Sequence, residues 1–443
     1  MSTNNPRDIA YKILNRVFRE GAYINLELKK ELKKDFSQQD KALITEIVYG
    51  VVRWKNRIDY IIDKFSRLHV NKMKLGILNI LRIGIYQILF LSKIPPFAAC
   101  NESVELAKRY YDKRVASFVN AVLRNLLRSE DIEYPDRKNT SDFLSVFYSY
   151  PKWMVERLLT EYSESFVEEF LKFSNIPGDI CIRTNRLRIT ADELADILVK
   201  KGLQVKKGEY FKEALYIKGT SIEEMDEYRK GYFMVQDEAS MLVSYILEPK
   251  PGELILDVCS APGGKTTHIA ELMNNRGRIV ARDVYPHKLD MVIRNAKRLG
   301  IDIIETEEKD ALLLYRDDFE RFDRVLVDAP CSGLGIIRNK PEVKWNRKPE
   351  DISKLAEMQY NILHNSSFYV KRGGTLVYST CTITREENIG VVNRFLSEHK
   401  NFKLDEFSLK FGKNIDGERG LIEVFPNTHG LDGFFIAKMV KLT

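Results

Sequence analysis

Cysteine is scarce in this chain, with five residues among 443, at Cys100, Cys181, Cys259, Cys331 and Cys381. Their number is odd and their spacing wide. None forms a Cys-x-x-Cys pair or lies near a histidine at ligand spacing, which argues against both a disulfide framework and a structural zinc site. A long uninterrupted apolar run is also missing. The most apolar stretch, residues 75–94, contains Arg82, Gln87, Gly76 and Gly84, so it reads as a core helix rather than a membrane span. The polar start, residues 1–10, lacks the apolar segment of a signal peptide. Together these features predict a cytoplasmic protein with no membrane partner. No excess of one charge stands out either: 70 Lys and Arg against 63 Asp and Glu leave +7, which permits a polyanionic partner without requiring one. What the chain does have is length, enough for two or three hydrophobic cores.

From residue 8 to 128 the apolar spacing is helical, as in Ile9, Ile13, Leu14, Val17 and in Ile44, Ile47, Val48, Val51. Pro95 and Pro96 interrupt it once, and residues 115–127 resume it. An all-helical domain over 1–135 is expected. Its basic residues (Arg53, Lys55, Arg57, Lys108, Arg109, Lys113, Arg114, Arg124, Arg128) suit either an RNA-facing surface or solvated helix faces. Residues 131–150 read as an irregular connection ending at Tyr150-Pro151. A small α/β module is expected over 150–235, with helix at 153–173 and 191–200 and strands at 180–184 and 214–217. Over 236–443 the texture changes. Apolar strands at 253–258, 278–282, 301–306, 324–327 and 375–378 alternate with helices at 266–273, 286–299, 349–370 and 385–397, which predicts a parallel sheet covered on both faces. Ligands of such sheets bind beyond the carboxyl ends of the strands.

The first of those strands ends in Asp257-Val258-Cys259-Ser260-Ala261-Pro262-Gly263-Gly264-Lys265-Thr266, a turn of small residues opening a helix, where glycine lets the backbone approach a ligand. A phosphate-binding loop would need Gly where Cys259 stands, and the three spaced glycines of a dinucleotide site are absent. Asp283, after the second strand, is placed to accept from both ribose hydroxyls of an adenosine, although it also suits a cap for the helix near Pro286. Asp310, after the third, can receive the amine of adenine. An adenosine held without a phosphate is what S-adenosylmethionine requires.

Two cysteines follow neighbouring strands: Cys331 in Asp328-Ala329-Pro330-Cys331-Ser332-Gly333 and Cys381 in Ser379-Thr380-Cys381-Thr382. A lone cysteine is ordinarily core packing, but two at strand ends beside a methyl donor suggest pyrimidine C5 methylation. Thiolate addition at C6 makes C5 nucleophilic, after which a C5 proton must leave and the thiol be expelled. Asp328 suits the N3 and amino edge of cytosine, which at N3 would require a shared or retained proton. Lys265 is either its orienting partner or simply part of the first helical turn.

These stretches, with Ile182-Arg183-Thr184-Asn185, Gln236-Asp237-Glu238-Ala239-Ser240 and His429-Gly430-Leu431-Asp432-Gly433-Phe434-Phe435, resemble the RNA cytosine-5 methyltransferases of the Sun/Fmu group, in particular the bacterial branch acting on 16S ribosomal RNA. The resemblance spans more than half the chain. It implies a Rossmann-like class I methyltransferase domain with a mostly parallel seven-stranded sheet, preceded by an all-α NusB-like RNA-binding domain and the small module. By that resemblance Cys381 is the attacking thiol and Cys331 assists product release, while Cys259 to Lys265, Asp283, Asp310 and Asp328 line the cofactor site. The implied partner is 16S ribosomal RNA, with cytosine 967 as the family target, or an early small-subunit assembly intermediate, and the protein is expected to act as a monomer. Ser260 departs from the Ala of many relatives. A non-enzymatic RNA-binding or assembly factor on the same scaffold is the alternative, against which both cysteines and the acidic positions are intact.

Overall fold

The computed structural model describes residues 5–33, 36–218, 222–410 and 414–442. The chain forms two compact units: residues up to Ile176 together with the returning segment Ile337–Arg347, and Pro177–Ile336 together with Lys348 onward.

The first unit is helical, as its periodicity predicts. Helices Pro6–Glu20, Gln38–Arg53, Lys55–Phe65, Leu75–Phe90, Pro96–Tyr110 and Lys113–Arg128 enclose a core that includes Ile13, Leu14, Ile44, Val48 and Ile80. Side chains set where they start: Asn5 accepts from Arg7 N at 2.9 Å, Ser37 from Asp40 N at 3.1 Å and Asp112 from Val115 N at 3.0 Å. The region is therefore broken several times, not only at Pro95-Pro96. Leu75–Phe90 is the buried centre, and its one cation is matched from a neighbouring helix. Arg82, 3% exposed, donates to both Asp59 oxygens at 2.7 Å and to Asn79 Oδ1 at 2.9 Å. Among the described residues no helix is long and apolar enough to cross a membrane.

The expected connection at 131–150 contains a helix, Thr140–Phe147, too short for its periodicity to stand out. Its Phe143 and Leu144 are buried. The Arg57 guanidinium lies 4.5 Å from the Phe147 ring centre and 4.7 Å from that of Tyr134, and donates to Tyr134 Oη at 2.8 Å. Arg53 is 6% exposed and donates to the Arg338 carbonyl at 2.8 Å. These two cations thus serve the unit's own packing, not an RNA-facing surface. Lys108, Lys113 and Arg124 are different, since they line a groove of about 880 Å³ between Pro96–Tyr110 and Lys113–Arg128.

The returning segment is held by Lys344, which is fully buried. Its Nζ donates to the carbonyls of Arg53 and Ser149, each at 2.8 Å, and sits 4.1 Å from the Tyr150 ring centre. Burial, with Arg53 and Lys55 nearby, pushes its ammonium well below the usual lysine range. Trp345 Nε1 donates to the Val52 carbonyl at 2.7 Å.

The second unit opens with a four-stranded antiparallel sheet built from β1 (Ile180–Thr184), β2 (Gln204–Lys207), β3 (Ala214–Lys218) and β4 (Phe233–Val235) in the order β2-β3-β1-β4. The larger sheet comprises β5 (Leu254–Asp257), β6 (Arg278–Asp283), β7 (Ile304–Glu308), β8 (Phe322–Asp328), β9 (Val370–Thr380) and β10 (Phe402–Leu404), with β11 (Phe407–Lys410) and β12 (Asn414–Gly417) pairing separately before β13 (Leu421–Val424) and β14 (Phe434–Lys441). Its order is β10-β14-β9-β8-β5-β6-β7, with β13 also on β14, making eight strands where seven were expected. The run β9-β8-β5-β6-β7 is parallel and β14 joins it antiparallel. The carboxyl ends of the parallel strands therefore share one edge, with Asp257 beside Leu326 and Asp328 beside Ser379.

Asp59→Ala would leave the Arg82 guanidinium buried without its counter-ion, a loss of about 3–5 kcal/mol. All three tryptophans, Trp54, Trp153 and Trp345, belong to the first unit, so intrinsic fluorescence follows that unit in the intact chain. The urea midpoint read by fluorescence should fall sharply in Asp59→Ala. An unchanged midpoint would mean the ion pair adds nothing.

Candidate active site

Helix Gly264–Leu272 starts directly after the turn that closes β5, and Gly263 caps it with φ of 98°, a value side-chain-bearing residues resist. Ala261-Pro262 is a cis peptide. Ser260 braces the turn from below: its N–H and Oγ donate to the Arg282 carbonyl at 2.8 and 3.0 Å. A Cβ built on Gly264 would meet only Gln236, at 4.0 Å, so the upper face of the turn is open to a ligand. The helix is fixed from the small sheet, because Arg183 on β1 donates to the Gly264 carbonyl at 2.9 Å, to Thr267 Oγ1 at 3.1 Å and to Glu271 Oε1 at 2.7 Å. Asn185 donates to the carbonyls of Gly231 and Leu299 at 2.9 and 2.8 Å.

Lys265 projects from the first helical turn to Asp328 at the end of β8, Nζ to Oδ2 at 2.7 Å, while Ser379 Oγ donates to Asp328 Oδ1 at 2.9 Å. Burial alone would lower the Lys265 pKa, but the Asp328 charge and hydrogen bond outweigh it and leave it raised. Asp257 is buried beneath the turn, accepting from Thr266 Oγ1 at 2.7 Å. Burial pushes its carboxyl up to about 7, with Thr266 opposing and Asp328 reinforcing the shift. Burial and the carboxylates of Asp257, Asp328 and Asp283 push the Cys259 thiol well up, so it stays protonated. At the ends of β6 and β7, Asp283 Oδ1 accepts from Tyr285 N at 3.0 Å and Asp310 Oδ1 from Leu312 N at 2.9 Å. Both residues are only partly buried.

Cys331 and Cys381, 50 positions apart in sequence, meet with Sγ to Sγ at 3.3 Å. Close backbone contact brings their loops together: Gly335 N donates to the Cys381 carbonyl at 3.0 Å and Gly433 N to the Gly335 carbonyl at 2.9 Å. A Cβ on Gly335 would lie 2.1 Å from the Gly433 carbonyl oxygen. The Cys331 thiol is pushed well up, first by its hydrogen bond to Cys381 and then by burial.

The sequence pattern did not single out Ser379, Ser332, Gln359 or Glu387. Glu387 is fully buried, and Ser332 N, Ser332 Oγ, Thr384 Oγ1 and Gln359 Nε2 donate to it at 2.8, 2.6, 2.7 and 3.0 Å. A signal was present. In the helix expected at 385–397, Glu387 and Asn388 stand four positions before Val391 and Val392, on the apolar stripe, where an unpartnered polar residue would be costly.

The comparisons agree with this architecture. The family model described as 16S rRNA methyltransferase RsmB/F matches residues 244–440, the NusB family model 4–128, and the ferredoxin-like domain of RsmF/B-like methyltransferases 150–222. The probable ribosomal RNA small subunit methyltransferase B of Bacillus subtilis (strain 168) is 39% identical, with all of both chains covered. The chain belongs to the ribosomal RNA small subunit methyltransferase B family. The Klebsiella pneumoniae (strain 342) member is 31% identical, covering 99% of this chain and 98% of that one. Among solved structures, that of PH0851 has a TM-score of 0.83 at 28% identity, with all of both chains covered. NSun6 from Pyrococcus horikoshii, crystallised with SFG, has a TM-score of 0.60 at 27% identity over 67% of this chain and all of its own. Membership makes the chain an S-adenosylmethionine-dependent methyltransferase of ribosomal RNA.

Asp257 gives the fold a pH signature. A buried acid whose folded pKa is raised lends its full stability below its unfolded value of about 4 and loses it as pH rises through about 7. Asp257→Asn removes that titration, so the variant should gain on the parent by up to a few kcal/mol in urea titrations run from pH 5 to 8. A stability difference constant over that range would show that Asp257 does not titrate there.

Proposed function

We propose that this chain transfers a methyl group from S-adenosylmethionine to C5 of a cytosine in 16S ribosomal RNA, the family target cytosine 967, through a covalent bond between Cys381 and C6. The observation that carries this reading is the thiol pair, 3.3 Å between sulfurs at the ends of adjacent parallel strands. Methylation of an exocyclic amine would need neither thiol.

The cofactor supplies an electrophilic methyl group on a sulfonium sulfur. The residues present suit that molecule, with carboxylate acceptors at Asp283 and Asp310 for its hydroxyls and amine, an open backbone turn from Cys259 to Gly264, and Lys265 already engaged by Asp328 rather than free for a phosphate. The SFG of NSun6, an analogue of the methyl donor, supports the same reading.

The hydrogen bond to Cys381 and burial keep the proton on Cys331, which suits it to assist departure and leaves the attack to Cys381. Its lone pair forms the bond to C6, and the C5=C6 electrons form the bond from C5 to the methyl carbon as the methyl–sulfonium bond breaks. The C5 proton then passes to solvent water. The electrons of the C5–H bond restore C5=C6 and expel the Cys381 sulfur, with Cys331 assisting that departure. Asp328, already accepting from Lys265 and Ser379, offers its remaining lone pairs to the cytosine amino group, and Lys265 orients it.

The work divides into a NusB-like RNA-binding domain over 1–135, the small module over 150–235 and the catalytic domain over 236–443. The groove lined by Lys108, Lys113 and Arg124 supports RNA contact by the first. The protein works as a cytoplasmic monomer on 16S ribosomal RNA or an early small-subunit assembly intermediate.

Asp283→Ala should weaken S-adenosylmethionine binding by about 1–3 kcal/mol, as the ribose hydroxyls lose their acceptor; unchanged affinity by calorimetry would remove Asp283 from the site. Cys381→Ala should abolish methyl transfer and form no adduct. Cys331→Ala should still attack but stall as a protein–RNA adduct, a slow band on a denaturing gel that the double variant lacks. Adduct retained by Cys381→Ala and lost in Cys331→Ala would exchange the two roles.

A further inference from the structure

Glu387 sits where the two cysteine loops have to be held in register. Its Oε1 takes the Ser332 N–H, next to Cys331 in the chain, and the Gln359 amide, which also donates to the Pro330 carbonyl at 2.9 Å. Its Oε2 takes the Ser332 and Thr384 hydroxyls. Thr382 Oγ1, next to Cys381, lies 2.7 Å from Ser332 Oγ and 3.4 Å from Glu387 Oε2, so its hydroxyl ties the second loop to the same carboxylate and serine. Asn388 adds a second tie, donating to the Thr382 carbonyl at 3.1 Å and accepting from Thr380 Oγ1 at 2.6 Å. Tyr378 Oη donates to the Glu387 carbonyl at 2.5 Å and also approaches Gln359 Oε1 at 3.2 Å. Every side-chain contact of the Glu387 carboxylate is therefore a donor from a residue flanking one thiol or from a residue that fixes such a loop. Among the described residues no cation contacts this carboxylate. For a stabilising role alone this is a costly choice, because a buried charge is retained with hydrogen bonds as its only compensation.

We propose that Glu387 is a positioning residue of the methyl transfer, setting the distance and orientation of Cys331 relative to Cys381 so that Cys331 can assist departure of the adduct. This deepens the proposed division of labour between the cysteines and rests on it. The charged and titratable groups facing Cys331 are Cys381 and Glu387, with Tyr378 and Asp328 beyond them. Glu387 is one of the groups that keep the Cys331 proton in place.

The test uses the full chain as parent, Glu387→Gln, Glu387→Asp and Cys331→Ala. Glu387→Gln keeps the size but turns an acceptor oxygen into an amide donor that faces donors. Calorimetry with S-adenosylmethionine checks the fold, and affinity within about threefold of the parent is expected. With RNA, Glu387→Gln should form the Cys381 adduct at near the parent rate yet turn over about 10- to 100-fold more slowly, the scale of a displacement near 1 Å. The stalled adduct should accumulate as in Cys331→Ala, and Glu387→Asp should restore part of the turnover. A second readout needs no RNA. Diamide, an azo oxidant, takes two electrons and two protons from the thiol pair as the Cys331–Cys381 disulfide forms, and mass spectrometry follows the yield. This closure should be fast in the parent and at least about tenfold slower in Glu387→Gln. Parent-like turnover and disulfide closure in Glu387→Gln would overturn the proposal, as would equal loss of adduct formation, cofactor binding and turnover, which marks a structural role alone. If Cys331→Ala traps no adduct, the division of labour fails by itself, and the disulfide rate still decides whether Glu387 sets the thiol geometry.

Discussion

The Lys265–Asp328 ion pair is the contact on which the rest of the site depends. It joins the first turn of the helix after β5 to the end of β8, so the backbone turn and the reactive strand ends cannot drift apart without separating two partly buried charges. The position of Asp328 in turn sets Ser379 on β9, two residues before Cys381. Arg183 holds the same helix from the other side. A site assembled from four strand ends and one helix is thereby reduced to a single rigid edge.

How much of this was legible differs by element. The buried parallel strands were readable because their apolar runs are nearly continuous, and β1 and the helix Pro286–Leu299 fall where the pattern puts them. Of the strands that escaped notice, β4 is only three residues long and several others carry charge. β2 is an exposed edge strand with two lysines, a composition that protects edges from further pairing and conceals the strand from an apolar pattern. β14 is buried almost throughout, but Lys438 and Lys441 interrupt its apolar run. Those lysines are matched in three dimensions, Lys438 by Glu248 and Asp405 at 3.0 and 2.9 Å, which no local reading can foresee.

The site divides the same way. The residues proposed to act on a ligand sit at strand ends or in the first helical turn after β5, within short motifs, and two pairs of them, Lys265 with Asp328 and Cys331 with Cys381, meet at hydrogen-bonding distances. Of the residues that hold those groups still, Ser379 lies inside the Cys381 motif without a role of its own there, and Glu387 lies outside every motif. Their roles arise from burial beside partners far off in sequence, and for Glu387 only the polar interruption of an apolar helical stripe announced it. Of the cations in the first unit, sequence could not distinguish Arg57, stacked among aromatic rings, from Lys113 on a groove, because both stand at helical spacing in a basic region.

The burial of Lys344 has a practical consequence. Burial that lowers the pKa of an amine favours its nucleophilic form, yet the complete enclosure of Lys344 among carbonyls denies reagents any approach. Acylation of that one lysine can proceed only when the helical unit opens around it. Under brief exposure to an acylating reagent, the fraction of chains modified at this position would serve as a clock for such openings, read from a single peptide without any engineered probe.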